Sequence, residues 1–176
     1  LILLFPLICV AQTYRYLGVE DGLSNRRGYC IQKDKTGYMW FLTHEGIDRY
    51  NGKEFKRYKL MDGDAEVNSL LNLNWLYIDQ EGVLWEIGKK GKVFRYDQIH
   101  DCFSLVYKLP MESFSEQPDP VTYAWLDQNK HIWLCNKDTI FLYNTDTKQV
   151  THIKNDISEE ITDIEQIDES HFFIGT

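Results

Sequence analysis

The feature that most constrains this chain is an aspartate followed six positions later by a tryptophan, a pairing that occurs three times. The copies read DKTGYMW, DQEGVLW and DQNKHIW, and they start at Asp34, Asp79 and Asp127. The tryptophans, which are 45 and 48 residues apart, are Trp40, Trp85 and Trp133. Self-similarity at such a period indicates an architecture with one supersecondary unit per repeat.

Other positions recur with the same period. A tyrosine follows each tryptophan after 10 or 11 residues, and Asn or Asp comes directly after it. These tyrosines are Tyr50, Tyr96 and Tyr143. A fourth, shortened copy, ITDIEQIDESHFFIGT, puts Asp168 at the aspartate position and Phe173 at the tryptophan position.

Each unit contains four short runs rich in aromatic and β-branched residues, separated by tight-turn signals. In the first turn of a unit, Asp34 can bond to nearby backbone and Gly37 tolerates a positive φ; Gly82 matches Gly37 in the second unit. The predicted fold is all-β: a β-propeller of four-stranded antiparallel blades, incomplete, with three blades and part of a fourth.

The recurring tryptophan has a structural explanation. A four-stranded sheet cannot bury its faces alone, so a large apolar side chain in each unit is expected to pack against the next blade. A sugar-binding platform has no reason to recur once per repeat. Trp75 and Trp125 lie outside this pattern, and core packing is favoured for them over a position at the central channel.

The N-terminal segment differs from the rest. LILLFPLICVA is uncharged, too short to span a bilayer, and typical of the apolar core of a secretory signal peptide. We therefore expect residues 1–11 to be a signal-peptide remnant and residues 12–176 to be a partial propeller. The expected blade repeats cover about 25–60, 70–107 and 120–154, with a truncated one at 160–176.

Composition excludes some functions. The net charge is −8 and no run of Lys or Arg alternates with aromatic residues, so nucleic acid is not expected as a partner. Beyond the signal segment three cysteines remain, Cys30, Cys102 and Cys135, with no CxxC or Cys/His cluster. No metal or cofactor is expected. The thiols are either buried on strands or form one disulfide and one free thiol.

No catalytic pattern is evident. Glycosidases need two carboxylates on either side of one sugar, whereas the acidic residues here fall mostly in turns. There is no GxSxG elbow, and the five histidines form no HxH or HExxH pair. A sialidase Asp box has one residue between Asp and Gly, but two residues separate Asp34 from Gly37. We therefore expect no enzyme activity from this chain.

The first copy, YCIQKDKTGYMWFLTHEGIDRYNGKEF, resembles the two-component regulator propeller repeat. The EDGLS phrase at residues 20–24 resembles the start of that family's sensor region. The resemblance covers residues 13–176, although later copies depart from the pattern; Lys130, for example, replaces the turn glycine. It implies a parent protein of Bacteroidetes with two propellers, an immunoglobulin-like module, a membrane helix and a cytoplasmic histidine kinase.

The resemblance further implies a periplasmic, ligand-sensing propeller whose parent is a dimeric hybrid two-component kinase in the inner membrane. Oligosaccharides are the ligand class it implies, and contact with the membrane would be through a helix absent from this chain. Two alternatives remain open: a protein-interaction propeller without signalling, and a carbohydrate-active lyase or hydrolase. An open set of blades also leaves apolar faces uncovered, which predicts poor solubility or self-association.

Strand polarity places the loops between second and third strands on the same face as the stretches between blades, which are residues 24–27, 69–74 and 118–123. Amides, charged groups and rings in these loops can bond sugar hydroxyls or stack on sugar rings. The candidate ligand-binding residues are His44, Glu45, Asn72, Asn74, Lys89, Lys90 and Tyr123.

Overall fold

The computed structural model describes residues 14–67, 73–110, 121–156 and 159–176. In these ranges the protein is all-β, with 53% of residues in strands and 2% in helix. The expected signal remnant, residues 1–11, lies outside the described residues. No helix in the described part of the chain has the length and hydropathy needed to cross a bilayer.

The described strands form three sheets and one hairpin, after a short 3₁₀ turn at Val19–Asp21. The first sheet contains β1 (Gly28–Lys33), β2 (Met39–Thr43), β3 (Gly46–Tyr50) and β4 (Phe55–Tyr58). The second contains β5 (Leu60–Asp62), β6 (Ala65–Val67), β7 (Leu73–Ile78), β8 (Leu84–Gly88), β9 (Lys92–Asp97) and β10 (Cys102–Lys108). The third contains β11 (Tyr123–Leu126), β12 (His131–Cys135), β13 (Thr139–Asn144) and β14 (Val150–Lys154). The hairpin contains β15 (Asp163–Gln166) and β16 (Phe172–Gly175).

Each sheet contains a run of four consecutive strands in antiparallel order, as the turn signals predict. The orders are β1-β2-β3-β4 in the first sheet and β11-β12-β13-β14 in the third. The same meander, β7-β8-β9-β10, forms the main part of the second sheet. All-β architecture with four-stranded antiparallel sheets is thus confirmed, and the sheets succeed one another as in a β-propeller-like fold.

The second sheet differs from the prediction because it has six strands. The chain leaving the first sheet forms the hairpin β5–β6, and β5 pairs parallel to the outer strand β10. The N–H of Phe103 donates to the carbonyl of Lys59 at 3.0 Å, and Leu60 is 3% exposed. The connection therefore adds to the outer edge of the second sheet instead of crossing as an irregular loop.

The aspartate of each repeat closes the first turn and also bonds to the tryptophan. Asp34 Oδ1 accepts from the backbone N–H groups of Thr36 and Tyr38 at 2.9 and 3.0 Å. Its other oxygen, Oδ2, accepts from the Trp40 indole N–H at 2.7 Å. The spacing of six residues thus lets one carboxylate satisfy both the turn and the indole.

The indole–carboxylate bond recurs in the other two sheets. It measures 2.9 Å both from Trp85 to Asp79 and from Trp133 to Asp127. In the hairpin, where phenylalanine has no N–H to donate, Asp168 is bonded by the backbone and ring nitrogens of His171 at 3.0 and 2.9 Å.

The last turn residue needs a positive φ in all three sheets. Gly37 and Gly82 have φ values of 94° and 91°. Lys130 takes this position in the third sheet with φ 65°, a left-handed conformation that residues other than glycine rarely adopt. The departure from glycine therefore leaves the turn geometry intact.

Three apolar clusters lie between successive sheets. Between the first two, the Trp40 ring meets Tyr96 and Phe103 of the second sheet at centroid distances of 5.1 and 5.9 Å. Trp85 belongs to the cluster that includes residues of the third sheet, and Trp133 lies 4.8 Å from Phe172 of the hairpin. Each repeated tryptophan thus packs toward the next element along the chain.

Phe173 lies on the strand face that bears the tryptophan in the sheets. Its neighbour Phe172 points to Trp133, so Phe173 points away from the third sheet, opposite Glu165 in the register. Phe173 is 69% exposed, because no described residue packs over this face. On the first sheet, Ile31 is likewise 56% exposed.

The other aromatic and sulfur-containing residues complete the core. Trp75 packs beside the cluster between the second and third sheets, and the Trp125 ring lies 6.0 Å from that of Trp133. The three described thiols, on strands β1, β10 and β12, form no disulfide. Cys135 is fully buried, and burial raises the pKa of its thiol to about 12, so it is a poor nucleophile.

Candidate functional site

Backbone hydrogen bonds bring the turns between second and third strands next to the segments that enter or leave a sheet. The N–H of His44 donates to the carbonyl of Arg27 at 2.9 Å, and that of Val121 donates to the carbonyl of Lys89 at 2.9 Å. The N–H of Asn155 donates to the carbonyl of Asp138 at 2.8 Å. We call this end of the sheets, defined by residues 44–45, 89–90 and 137–138, the 2–3 rim.

One group of polar and aromatic side chains stands out on the first sheet. We call it the Tyr29 cluster; its members are Asn25, Arg27, Tyr29, His44, Glu45 and Arg57. Two of its members, His44 and Glu45, are among the candidates from the sequence.

The Tyr29 ring is presented to solvent by an irregularity in the sheet. The register of β1 against β2 shifts between Gly28 and Cys30, so Tyr29 lies at a bulge. Bulges redirect side chains, and here the ring is 40% exposed. Its hydroxyl lies 2.9 Å from Nδ1 of His44, and the Arg27 guanidinium carbon lies 5.5 Å from the ring centroid.

The polar half of the cluster is held by its own hydrogen bonds. The Asn25 amide donates to Glu45 Oε1 at 3.0 Å, while Oε2 of that carboxylate lies 3.9 Å from the Arg57 guanidinium. Arg57 also donates to the Glu45 carbonyl. An exposed ring beside fixed amide, carboxylate and guanidinium groups can stack on an apolar sugar face while bonding hydroxyls.

The buried carboxyl of Asp48 holds the chain segment that carries part of this cluster. The backbone N–H and hydroxyl of Ser24 donate to Asp48 Oδ2 at 2.9 and 2.5 Å, and the hydroxyl lies 2.8 Å from that of Thr43. Asp48 is fully buried, and this burial raises the pKa of its carboxyl even though Ser24 bonds to it. These contacts fix the segment that precedes β1, and with it Asn25 and Arg27.

Sequence analysis included Asn25 and Arg27 within the stretch 24–27, but it did not single out Tyr29 or Asp48. One signal for Asp48 is present: the corresponding residues of the third strands in the other two sheets are Phe94 and Phe141. A carboxylate where the repeat carries phenylalanine marks a position with a role beyond packing.

The remaining candidates are not brought into the Tyr29 cluster. Lys89 is half-buried and Lys90 exposed at the turn of the second sheet. Tyr123 donates from its hydroxyl to Asp163 Oδ1 at 3.1 Å, and burial raises its pKa to about 12, so it forms part of the contact with the hairpin. Asn72 lies outside the described residues, and only the backbone of Asn74 is described.

The backbone nevertheless relates Asn74 to the site. The register of β7 against β8 shifts between Leu73 and Trp75, so Asn74 lies at the same kind of bulge as Tyr29. Within the described ranges no group of three or more His, Cys, Asp or Glu side chains has an arrangement suited to a metal ion.

Comparison with known proteins gives relatives by structure. No protein-family model matches the chain, and no curated protein matches it by sequence. Solved structures do match. One is described as the extracellular domain of the hybrid two-component system BT3049 from B. thetaiotaomicron, with a TM-score of 0.70 and 26% identity over 92% of this chain.

Two structures of the extracellular domain of BT4673 from B. thetaiotaomicron also match. One, described as part of a hybrid two-component system, has a TM-score of 0.67 and 20% identity over 92% of this chain. The other, described as part of a one-component system, has a TM-score of 0.66 and 19% identity over 87% of this chain. The identities of these two support the fold alone.

The chain spans only 23%, 22% and 21% of the three matched chains. At this coverage the match describes the sheets and not the whole of any relative. The resemblance expected from the repeat is confirmed: this chain is similar in structure to extracellular sensor domains of Bacteroides hybrid two-component systems.

Proposed function

We propose that the chain is part of the periplasmic sensor region of a hybrid two-component system and that it binds an oligosaccharide. The observation that carries the sensor role is the match to the extracellular domain of BT3049, at 26% identity over 92% of this chain. The exposed ring and hydrogen-bonding groups of the Tyr29 cluster support the oligosaccharide ligand. The export signal expected at residues 1–11 supports the same location.

In this proposal the three sheets are consecutive blades of a β-propeller and the hairpin β15–β16 belongs to a fourth. The order of the sheets and the tryptophan that packs each one on the next element support it. Ligands of such folds meet loops at one end of the sheets, which makes the 2–3 rim the expected binding surface.

The chain contributes binding and not chemistry. The matched proteins are sensor domains, and the Tyr29 cluster combines a ring with hydrogen-bonding groups that are already paired with one another. Ligand binding would shift a homodimer of the parent between two arrangements, and it can do so only if the two arrangements differ in affinity for the ligand. A kinase domain elsewhere in the parent protein would respond to this shift between dimer arrangements.

Calorimetric titration of the protein with a panel of plant and host oligosaccharides tests the proposal. We expect saturable heat with one glycan class and loss of that heat in Tyr29→Ala. Tyr29→Phe keeps the ring but loses the contact with His44, so we expect intermediate affinity. Tyr16→Ala is the matched control, because Tyr16 is 75% exposed and lies outside the cluster.

The possible results of this titration test the location of the site and the class of ligand separately. Unchanged binding in Tyr29→Ala would move the site away from the Tyr29 cluster while leaving the sensor role standing. Absence of heat with every glycan, from a folded protein, would contradict the oligosaccharide ligand.

A further inference from the structure

A cavity of about 270 Å³ lies between the second and third sheets at the end opposite the 2–3 rim. The turns between first and second strands and those between third and fourth strands meet there. Side chains that line it include Trp85, Arg95, Lys130, Tyr143, Asp146 and Lys148. None of these residues belongs to the Tyr29 cluster.

The acidic groups of this cavity are engaged by partners inside the protein. Lys130 donates to Glu81 Oε1 at 2.5 Å and to Asp146 Oδ2 at 3.0 Å, which links the second sheet to the third. Asp79 is bonded to the Trp85 indole. Lys130 therefore offsets part of the negative charge of Glu81 and Asp146, and the oxygens of Asp79 are occupied by hydrogen bonds.

Arg95 is the basic group without such a partner. It is exposed, and its guanidinium carbon lies 5.9 Å from the centroid of the Trp85 ring, its cross-strand neighbour. Among the described residues no carboxylate lies within ion-pair distance of Arg95 or of Lys148. The cavity thus offers an unpaired guanidinium above an indole, with a second cation at its edge.

The corresponding arginine of the first sheet, Arg49, has a guanidinium that contacts several aromatic rings. Arg49 also faces a cavity of about 270 Å³ and is the cross-strand neighbour of Trp40. It is only half-exposed and lies near three rings, at 4.6 Å from Tyr38, 5.5 Å from Trp40 and 5.2 Å from Tyr58.

The second cavity has fewer rings near its arginine. Val83 takes the position of Tyr38 two residues before the tryptophan, and Val106 of β10 lines the wall. The smaller side chains leave Arg95 with one ring instead of three. A guanidinium that is neither paired nor enclosed remains available to an anion.

We propose that this cavity between the second and third sheets binds a small carboxylate, with Arg95 as its main anchor. The guanidinium presents two parallel N–H groups that match the two oxygens of a carboxylate. Lys148 adds a second positive charge, and the Trp85 and Tyr143 side chains lie against the body of the ligand. This site is independent of the proposed sensor role and of the Tyr29 cluster.

Titration followed by nitrogen-edited NMR of the tryptophan indole N–H signals tests the proposal. The probes are D-galacturonate, D-galactose and acetate. We expect the two carboxylates to shift the Trp85 signal saturably and D-galactose to leave it unchanged. A lower saturating concentration for D-galacturonate than for acetate would identify a sugar acid as the source of the carboxylate, and equal values a simple organic acid.

Two leucine substitutions provide the controls. Leu142 occupies the arginine position in the third sheet, so leucine is compatible with this register. Charge-assisted hydrogen bonds contribute enough that Arg95→Leu should weaken carboxylate binding about tenfold or more. Arg49→Leu should leave the affinity unchanged.

The proposal would be overturned by equal shifts with D-galactose and D-galacturonate, by unchanged affinity in Arg95→Leu, or by no shift of the Trp85 signal with either carboxylate. An equal loss in Arg49→Leu and Arg95→Leu would also contradict it, since the effect would then not be specific to this cavity.

Discussion

At the scale of single residues, one carboxylate per repeat links the turn to the core. Asp127 is 6% exposed; it accepts from the His131 N–H at 2.7 Å and from the Trp133 indole at 2.9 Å. The spacing of Asp and Trp was visible in the sequence, but the indole bond was not, because it depends on how the strand register aims the ring.

Removing this carboxylate should destabilise the protein. Asp127→Ala leaves the His131 N–H and the Trp133 indole N–H without their acceptor, which we expect to cost about 1–3 kcal/mol of unfolding free energy. Urea denaturation measures it. Asp168→Ala is the control; since its carboxylate is exposed and bonds no indole, its effect should be smaller. Equal losses would show that the indole bond contributes nothing.

A second buried carboxyl predicts a dependence on pH. Glu86 is fully buried on β8, neither of its side-chain oxygens has a partner among the described residues, and burial raises its pKa well above 4.5. The folded protein therefore holds this proton more tightly than the unfolded chain. Its contribution to stability is greatest below pH 4.5 and falls as pH rises toward the folded pKa.

Glu86→Gln should remove that contribution to the pH dependence. We expect the variant to be more stable than the wild type at neutral pH, by about 1.4 kcal/mol for each unit by which the pKa is raised, and similar near pH 4. Thermal unfolding across this pH range gives the comparison. A wild-type advantage at neutral pH would mean that Glu86 is ionised and paired in the folded protein.

At the scale of elements, the sequence predicted the strands that recur and missed those that do not. The tight-turn signals and the repeated tryptophan were sufficient to predict β1–β4 and the equivalent strands β7–β10 and β11–β14. The hairpin β5–β6 was not foreseen, because its short runs carry no alternation and its pairing depends on β10, which lies more than 40 residues further along.

Buried polar residues were equally hard to identify. Both faces of these strands are covered, so the pattern of apolar residues does not tell which side of β3 or β8 an acid will face. Asp48 and Glu86 were therefore not singled out. Sequence analysis placed His44, Glu45 and the stretch 24–27 at this end of the sheets but did not single out Tyr29, since a bulge sets the direction of Tyr29 and no turn signal marks it.

The added hairpin should contribute to stability through its buried leucine. Leu60 is 3% exposed in the cluster between the first and second sheets. Leu60→Ala should lower the free energy of unfolding by about 2–5 kcal/mol, because it leaves a cavity. Met61→Ala, at the half-buried next position, should cost less. Equal values in urea denaturation would mean that β5 is not held by this contact.

At the scale of the whole molecule, the outer faces of the first sheet and the hairpin carry exposed apolar side chains. Ile31 is 56% exposed and Phe173 69% exposed. Exposed apolar side chains on these two faces favour association. The chain spans 23% or less of the larger extracellular domains that it resembles in structure.

We predict concentration-dependent association of the 176-residue chain in sedimentation velocity. The double substitution Ile31→Glu and Phe173→Glu should shift the protein toward monomer, because it adds charge to both faces. Tyr16→Glu is the control, on an exposed residue away from both. A monodisperse wild-type monomer at all concentrations would contradict the prediction.

The measurement that tests the proposed role most directly is saturation-transfer NMR of the protein with the oligosaccharide panel, followed over hours. It detects binding and turnover in the same sample. A non-enzymatic sensor gives saturation transfer to one glycan class, with the anomeric signals of that glycan unchanged. New anomeric signals would identify an enzyme, and no transfer to any glycan would contradict oligosaccharide sensing.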